Sequence, residues 1–292
     1  MYTVTGVTGH VGAATATELL ERGVQVRAVV RNPAKRADWE EKGAEAVVAD
    51  FSDRVALARA LRGSEGAFLM LPTIETAGDA EHRRLAHSIA GAVADSGVRH
   101  VVMLSSIGAE LADGTGPIRW LHHLESGLRQ TGAVVSAIRS WHFQEKVETV
   151  LGAALGAGIY PVFGESADVP TPMIATRDIG RVAAEILLEP PASGEVIDLA
   201  GHEYTEREVA DQLAAALGKS LQVVTVPRAG WVGAMLDAGL PAPFADELAA
   251  LYDAGEQGIL QANGDRSVAC TTRISETLRQ VVEAATSQPP AA

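Results

Sequence analysis

The chain has one cysteine, Cys270, among 292 residues. A lone thiol excludes an internal disulfide and any Cys-rich metal site, and it fits a reducing compartment. Aromatic residues are scarce at 4%, so the core must be aliphatic and alanine-rich. Long apolar runs are missing too. The longest notable uncharged stretch, 149–164, covers 16 residues and is broken by four glycines and Pro161. That is too short and too interrupted to span a bilayer. Cations are in the minority, and the formal net charge of -13 argues against nucleic acid or an anionic membrane as the main partner. No His, Asp and Glu residues stand at metal-ligand spacing, and no G-x-S-x-G turn offers a serine nucleophile. Four residues after Tyr2, Tyr160, Tyr204 and Tyr252 stand Gly6, Gly164, Glu208 and Glu256. No tyrosine therefore has a lysine one helical turn away.

What is present begins at once. The strand Tyr2-Thr3-Val4-Thr5 runs into Gly6-Val7-Thr8-Gly9-His10-Val11-Gly12, and an Ala-rich helix follows. In a G-x-x-G-x-x-G turn the first glycine makes the bend. The second lets backbone approach a diphosphate, and the third lets the helix pack close to the sheet. The N–H groups and dipole at the helix start attract phosphate. A second strand follows at 25–30, completing the context that this turn requires. Sites for NAD usually place an acid at the end of that strand, to accept from the ribose 2′-hydroxyl. Here Arg31 stands there instead, followed by Asn32-Pro33, with Lys35 and Arg36 nearby. A guanidinium fork suits a 2′-phosphate, so the expected cofactor is NADP(H). Its expected contacts are Gly6, Thr8, Gly9, His10, Val11, Gly12 and Arg31. Asp50 and Phe51 join them after the third strand, Leu71 and Pro72 after the fourth, and Ser105 after the fifth.

The rest of the chain alternates. Strands are predicted at 2–5, 25–30, 44–48, 66–71, 98–104, 133–138 and 195–199, with a helix at 79–95. Thr205-Glu206-Arg207-Glu208 is a capping box opening a helix that Gly218 stops. The predicted class is α/β, a Rossmann-type doubly wound parallel sheet with a small C-terminal α/β lobe. Residues 1–140 plus about 175–200 would form the NADP-binding domain. About 141–174 plus 201–286 would form a smaller substrate lobe, and 287–292 a frayed tail. The first strand starts at residue 2, so no signal peptide is expected, and the expected location is cytoplasmic.

The turn Thr5 to Gly12 with Arg31-Asn32, the stretch His123 to Gly132, and Ile138 to Glu145 together resemble the NmrA-like atypical short-chain dehydrogenase/reductases. Asp178-Ile179-Gly180 before a helix, and Gly194 to Gly201 before the capping box, agree. The type 2 NAD(P)H:quinone oxidoreductases are the most similar branch. The resemblance implies a Rossmann domain with a small C-terminal lobe, and an activity among quinone reductases, isoflavone-reductase-like enzymes or nucleotide-sensing regulators. Short-chain dehydrogenases normally protonate a carbonyl with a Tyr-x-x-x-Lys pair, which this chain lacks. It also lacks the lysine that isoflavone-reductase-like members carry on the helix after the fifth strand, where Trp120-Leu121-His122-His123 stands.

The candidate catalytic residues are therefore His122, His123 and Ser106. Adjacent helix residues point about 100° apart, so at most one histidine would face a nicotinamide. Trp141, His142 and Phe143 follow the sixth strand, where rings could stack on a planar substrate, though wide rings more often pack. Gln144 and Glu145 could bond its polar edge. Trp231, with Met235 one turn on, could roof the pocket or fill the core of the lobe. The expected activity is NADPH-dependent reduction of a quinone or conjugated enone. The expected partner is a planar small molecule, with no nucleic acid and no membrane, and a homodimer is one assembly the chain allows. Two alternatives stay open: a non-catalytic NADP-sensing regulator, and a non-redox cyclase or isomerase on the same scaffold.

Overall fold

The structure is a computed structural model and describes residues 1–287. Its first half alternates as β1 (Tyr2–Val4), α1 (His10–Glu21), β2 (Val26–Val30), α2 (Arg36–Glu40), β3 (Glu45–Val48), α3 (Arg54–Leu61), β4 (Gly66–Leu69), α4 (Asp79–Ser96), β5 (His100–Ser106), α5 (Ile118–Leu128) and β6 (Val134–Ser140). Then come β7 (His142–Phe143), α6 (Glu148–Gly156), β8 (Ile159–Phe163), β9 (Thr171–Ile174), α7 (Thr176–Leu188), β10 (Glu195–Ala200) and β11 (His202–Tyr204). The chain closes with α8 (Glu206–Leu217), β12 (Gln222–Val226), α9 (Trp231–Asp237), α10 (Ala242–Glu256), β13 (Arg266–Ala269) and α11 (Ile274–Ser287).

Eight strands form one sheet in the order β13-β10-β6-β5-β4-β1-β2-β3, and every pairing in it is parallel. The doubly wound sheet expected from the sequence is the one observed. Each strand buries alternate residues on opposite faces. Phe68, Val102 and Ile138 join the core under α1 and α7, while Ala67, Leu69, Val101, Met103 and Ala137 join the core under α3, α4 and α5. Near-continuous apolar strands follow from this double coverage. The strand order reverses between β1 and β4. A parallel sheet puts all its carboxyl ends on one edge, so the crevice for a ligand opens there.

Two small sheets, β11-β9-β7 and β12-β8, lie outside the large one. With α6, α8 and α11 they build a third core around Leu151, Tyr160, Val162, Met173, Leu213 and Leu278. The capping box of α8 forms as expected, with Thr205 Oγ1 accepting from Glu208 N at 3.1 Å and Glu208 Oε2 accepting from Thr205 N at 2.8 Å. No helix among the described residues is long and apolar enough to cross a membrane.

Three expectations need correction. Ser105 and Ser106 are the last two residues of β5 rather than loop residues after it. Asp178-Ile179-Gly180 lies inside the first turns of α7, not before it. Within 201–286, expected to belong to the smaller lobe, β13 pairs with β10 and extends the large sheet. As an edge strand it is mostly exposed, so it carries no apolar alternation by which to read it. Of the tail read as frayed, Ser287 closes α11 and 288–292 lie outside the described residues.

Helix α7 buries Ile179, Val182, Ala183, Ile186 and Leu187, a stripe at helical spacing. It lies directly against α1. A Cβ added to Gly180 would stand 2.7 Å from Thr15 N and equally close to the Ala14 carbonyl carbon. Gly180→Ala should therefore overpack this contact and cost about 1–3 kcal/mol. Thermal denaturation should report a lower Tm; an unchanged Tm would mean that the two helices separate without cost.

Candidate functional site

The glycine turn sits where β1 meets α1. The Thr5 backbone N and hydroxyl both donate to Phe68 O at 3.0 Å, tying the turn to β4. Gly6 adopts φ +66°, and Gly9 N donates back to its carbonyl at 3.0 Å. A Cβ on Gly12 would collide with the carbonyl oxygens of Gly6 and Thr5, which is why the helix can start so close to the strand. Gly9 is the N-cap of α1. No side chain caps that end, and the first turn holds no acid. The first N–H groups of a helix have no partner within it, so they are available to an anion here. Thr8, Gly9 and His10 are exposed, and a Cβ on Gly9 would meet nothing nearer than Gly6 O at 3.6 Å. The side chain of Val11 is buried in the core, which leaves only its backbone to face a ligand.

Arg31 follows β2 and is exposed. Among the described residues it has no hydrogen-bond or ion-pair partner. The other two cations are spent locally, Lys35 on Asp38 at 3.1 Å and Arg36 on Glu40 at 2.9 Å. Asp50 accepts from the Ser52 hydroxyl at 2.5 Å and its backbone N at 2.8 Å. Those bonds, with a smaller contribution from the Arg31 guanidinium, hold its carboxyl below the usual range. Phe51 packs on the core beside it, half-buried. After β4, Leu71 is buried and Pro72 half-buried. The following loop is fastened by His82, a residue that sequence reasoning missed. Its Nε2 accepts from Ile74 N at 3.1 Å, its Nδ1 donates to Gly78 O at 2.9 Å, and its ring stacks on Trp120 at 3.5 Å.

The ends of β5 and β6 lie side by side, with Ser105 opposite Arg139 and Ser106 opposite Ser140. Ser105 does not offer its hydroxyl to the crevice; it donates to Glu125 Oε1 at 2.6 Å. Glu125 also receives Arg139 Nε at 3.0 Å and Nη2 at 2.9 Å, and the two side chains are 1% and 5% exposed. Burial opposes the charge on Glu125, but the bonds from Arg139 and Ser105 outweigh it and hold the carboxyl below its usual range. Arg139 Nη1 continues to Glu110 at 2.7 Å and Asn263 at 2.8 Å. The sequence did carry a signal for this pair: a lone arginine in an otherwise uncharged strand, and a glutamate on the apolar face of a helix. Ser106 keeps its hydroxyl on Ile107 O at 3.1 Å.

The two candidate histidines diverge, their planes 76° apart. His122 Nδ1 donates to Ala109 O at 2.9 Å, which turns Nε2 away from that loop. His123 Nε2 lies 3.0 Å from Asp79 Oδ1 at the start of α4. Trp141 and Phe143 are half-buried against the sheet core. Gln144 and Trp231, expected at the substrate, are elsewhere engaged. Gln144 is 1% exposed. Its amide nitrogen donates to Thr272 O at 2.9 Å, and its oxygen accepts from Thr277 at 2.6 Å. Trp231, also 1% exposed, donates Nε1 to Val226 O at 2.8 Å and meets Tyr252 edge-on at 5.8 Å. Its ring fills a separate apolar core. Glu145 caps α7, accepting from Thr176 N at 3.0 Å and its hydroxyl at 2.7 Å. Glu148, which sequence reasoning also missed, reaches His10 Nε2 at 3.0 Å and so brings the start of α6 onto the glycine turn.

The chain is similar to several known proteins. Quinone oxidoreductase 2 of Escherichia coli is 28% identical over 255 residues, covering 85% of this chain and 86% of its own length. The (4-alkanoyl-5-oxo-2,5-dihydrofuran-3-yl)methyl phosphate reductase of Streptomyces griseus is 33% identical over 225 residues, 76% of each chain. The crystal structure of an NADPH-dependent quinone oxidoreductase from Escherichia coli complexed with NADPH superposes with a TM-score of 0.81. It is 25% identical and covers 96% of this chain and 99% of its own. The model of the NmrA-like family matches residues 2–261, and the chain belongs to that family.

Proposed function

We propose that this protein is an NADPH-dependent reductase that passes a hydride to a planar, electron-poor small molecule such as a quinone or conjugated enone. The observation that carries the reading is Arg31. It is the one cation at the end of β2 left without a partner among the described residues, and it stands where an NAD site places an acid. Beside it lies a helix start with no side-chain cap and no acid in its first turn. These features fit a dinucleotide that bears a 2′-phosphate. Relatives named as a quinone oxidoreductase and as a (4-alkanoyl-5-oxo-2,5-dihydrofuran-3-yl)methyl phosphate reductase support the same reading.

When bound, NADPH supplies the hydride. The chain's own residues do the rest. The backbone of Gly9, His10 and Val11 holds the diphosphate, and Arg31 holds the 2′-phosphate. Asp50 and Phe51 border the adenine end, Leu71 and Pro72 the middle, and the tips of β5 and β6 the nicotinamide end. Trp141 and Phe143 border the space for a flat substrate. Orientation of two reactants supplies roughly 7–11 kcal/mol of barrier reduction at its best. Reduction of a quinone gives an oxyanion stabilised by aromaticity, so a Tyr-x-x-x-Lys acid is dispensable.

Anaerobic mixing of the protein with NADPH and a panel of quinones, followed by the absorbance of reduced nicotinamide, should show oxidation well above the protein-free rate. Tight NADPH binding with no turnover would favour the sensor instead. Arg31→Ala should weaken NADPH by roughly 10- to 100-fold, the value of a charge-assisted hydrogen bond, and leave NADH unchanged. Calorimetry with both coenzymes checks this. Equal losses for the two would refute the 2′-phosphate role.

A further inference from the structure

His142 stands two residues past the end of β6, and on β7 it pairs in register with Met173 of β9. Read as sequence, it is only one of three neighbouring rings. In the fold it terminates a polar chain. Its Nδ1 lies 3.3 Å from Lys146 Nζ. An ammonium group has protons to give and none to accept, so Nδ1 is the acceptor. Lys146 is held in turn by Glu206 Oε1. The second oxygen of Glu206 accepts the Tyr160 hydroxyl at 2.7 Å. Helix α8 contributes Glu206 and strand β8 contributes Tyr160, so two further elements converge on one imidazole.

The consequence is a fixed tautomer. With Nδ1 accepting, the ring proton sits on Nε2. That nitrogen has no hydrogen-bond partner among the described residues, and it is not among the polar atoms sealed from solvent. Burial, and then the Lys146 charge, push the ring's pKa down to about 3 against a partial pull from Glu206, so it stays neutral. The result is a neutral N–H donor with nothing to donate to, beyond the tip of β6. In a sheet of this order β6 lies on the β4 side of the switch point, opposite the β2 end that carries Arg31. That is the nicotinamide half of the crevice.

We propose that His142 Nε2–H is the donor that receives the carbonyl oxygen of the substrate, and that Lys146 and Glu206 set its tautomer. The proposal rests on the reductase reading above. The C–H bond at nicotinamide C4 breaks, and its electron pair forms the new bond in the substrate. The carbonyl π pair moves onto oxygen. The substrate gains two electrons, the coenzyme is oxidised to NADP+, and water supplies the proton that the oxygen takes up on release. His142 keeps its proton throughout and stabilises the oxyanion as it forms, as a neutral imidazole can. Lys146 and Glu206 touch no reacting atom; they are positioning residues.

His142→Phe should bind NADPH as the wild type does but lose roughly 10²-fold in kcat, the scale for removing one oxyanion donor. His142→Gln, whose amide still donates, should recover part of the loss. Nitrogen NMR of histidine-labelled protein should place the proton on Nε2. The Lys146→Met/Glu206→Gln double variant should show mixed tautomers and a lowered kcat with unchanged NADPH affinity. A proton on Nδ1 in the wild type, or full kcat in His142→Phe, overturns the proposal and leaves the reductase reading standing. A wild type that binds NADPH yet reduces no quinone overturns both.

Discussion

The Glu125–Arg139 pair is the contact on which the carboxyl edge of the sheet is built. Removing two charges from water costs several kcal/mol per ion, so such a pair adds little net stability. What it supplies is geometry. Arg139 belongs to β6, Glu125 to α5, and the arginine's remaining donors reach Glu110 after β5 and Asn263 before β13. Ser105 joins from β5. Five segments thus share one buried network, and losing either charge would strand the other at a cost of about 3–5 kcal/mol. The same network fixes the loop whose Ala109 carbonyl orients His122.

The crevice above that edge divides by chemistry. The β1–β3 side is made of backbone, one guanidinium without a partner among the described residues, and a carboxylate whose pKa the Ser52 hydrogen bonds lower. Such a surface suits phosphate and ribose. The β5–β7 side is made of side chains whose hydrogen bonds are already committed. Ser105 is engaged through its hydroxyl, and His122, His123 and His142 are each engaged at one ring nitrogen. A division between a passive binding half and a half with oriented donors is what direct hydride transfer requires, because the reaction needs orientation more than proton delivery.

The half of the crevice proposed for the coenzyme was legible in the sequence because its features are local. The glycine turn, the missing acid and Arg31 lie within 31 residues of the start, and strand periodicity marked the central sheet. The other half depends on contacts between distant segments. Lys146 and Glu206 are 60 residues apart, and His10 and Glu148 are 138 apart. Gln144 was expected at a substrate's polar edge; its engagement with Thr272 and Thr277 became visible only once α11 was seen against it. Trp231 illustrates the same limit. From sequence Trp231 can roof a pocket or, by default, fill a core, and its contacts with the Val226 carbonyl and the Tyr252 ring place it in the core.

Charge completes the argument. A net charge of -13 ought to repel a coenzyme that carries several phosphates. That repulsion is weak, since exposed charges beyond about 8 Å are screened at physiological salt. Local groups decide instead. The start of α1 has no acid of its own, and the nearby Glu148 is paired with His10. An exposed pair of that kind is worth about 0.2–1 kcal/mol, against about 1.5–3 kcal/mol for each charge-assisted bond to a phosphate. Lys35 and Arg36 are paired with acids of the short helix α2, so Arg31 is the cation there without a partner among the described residues. On the proposed reading, preference for the phosphorylated coenzyme is concentrated in that one side chain, and the acidity of the remaining surface does not bear on it.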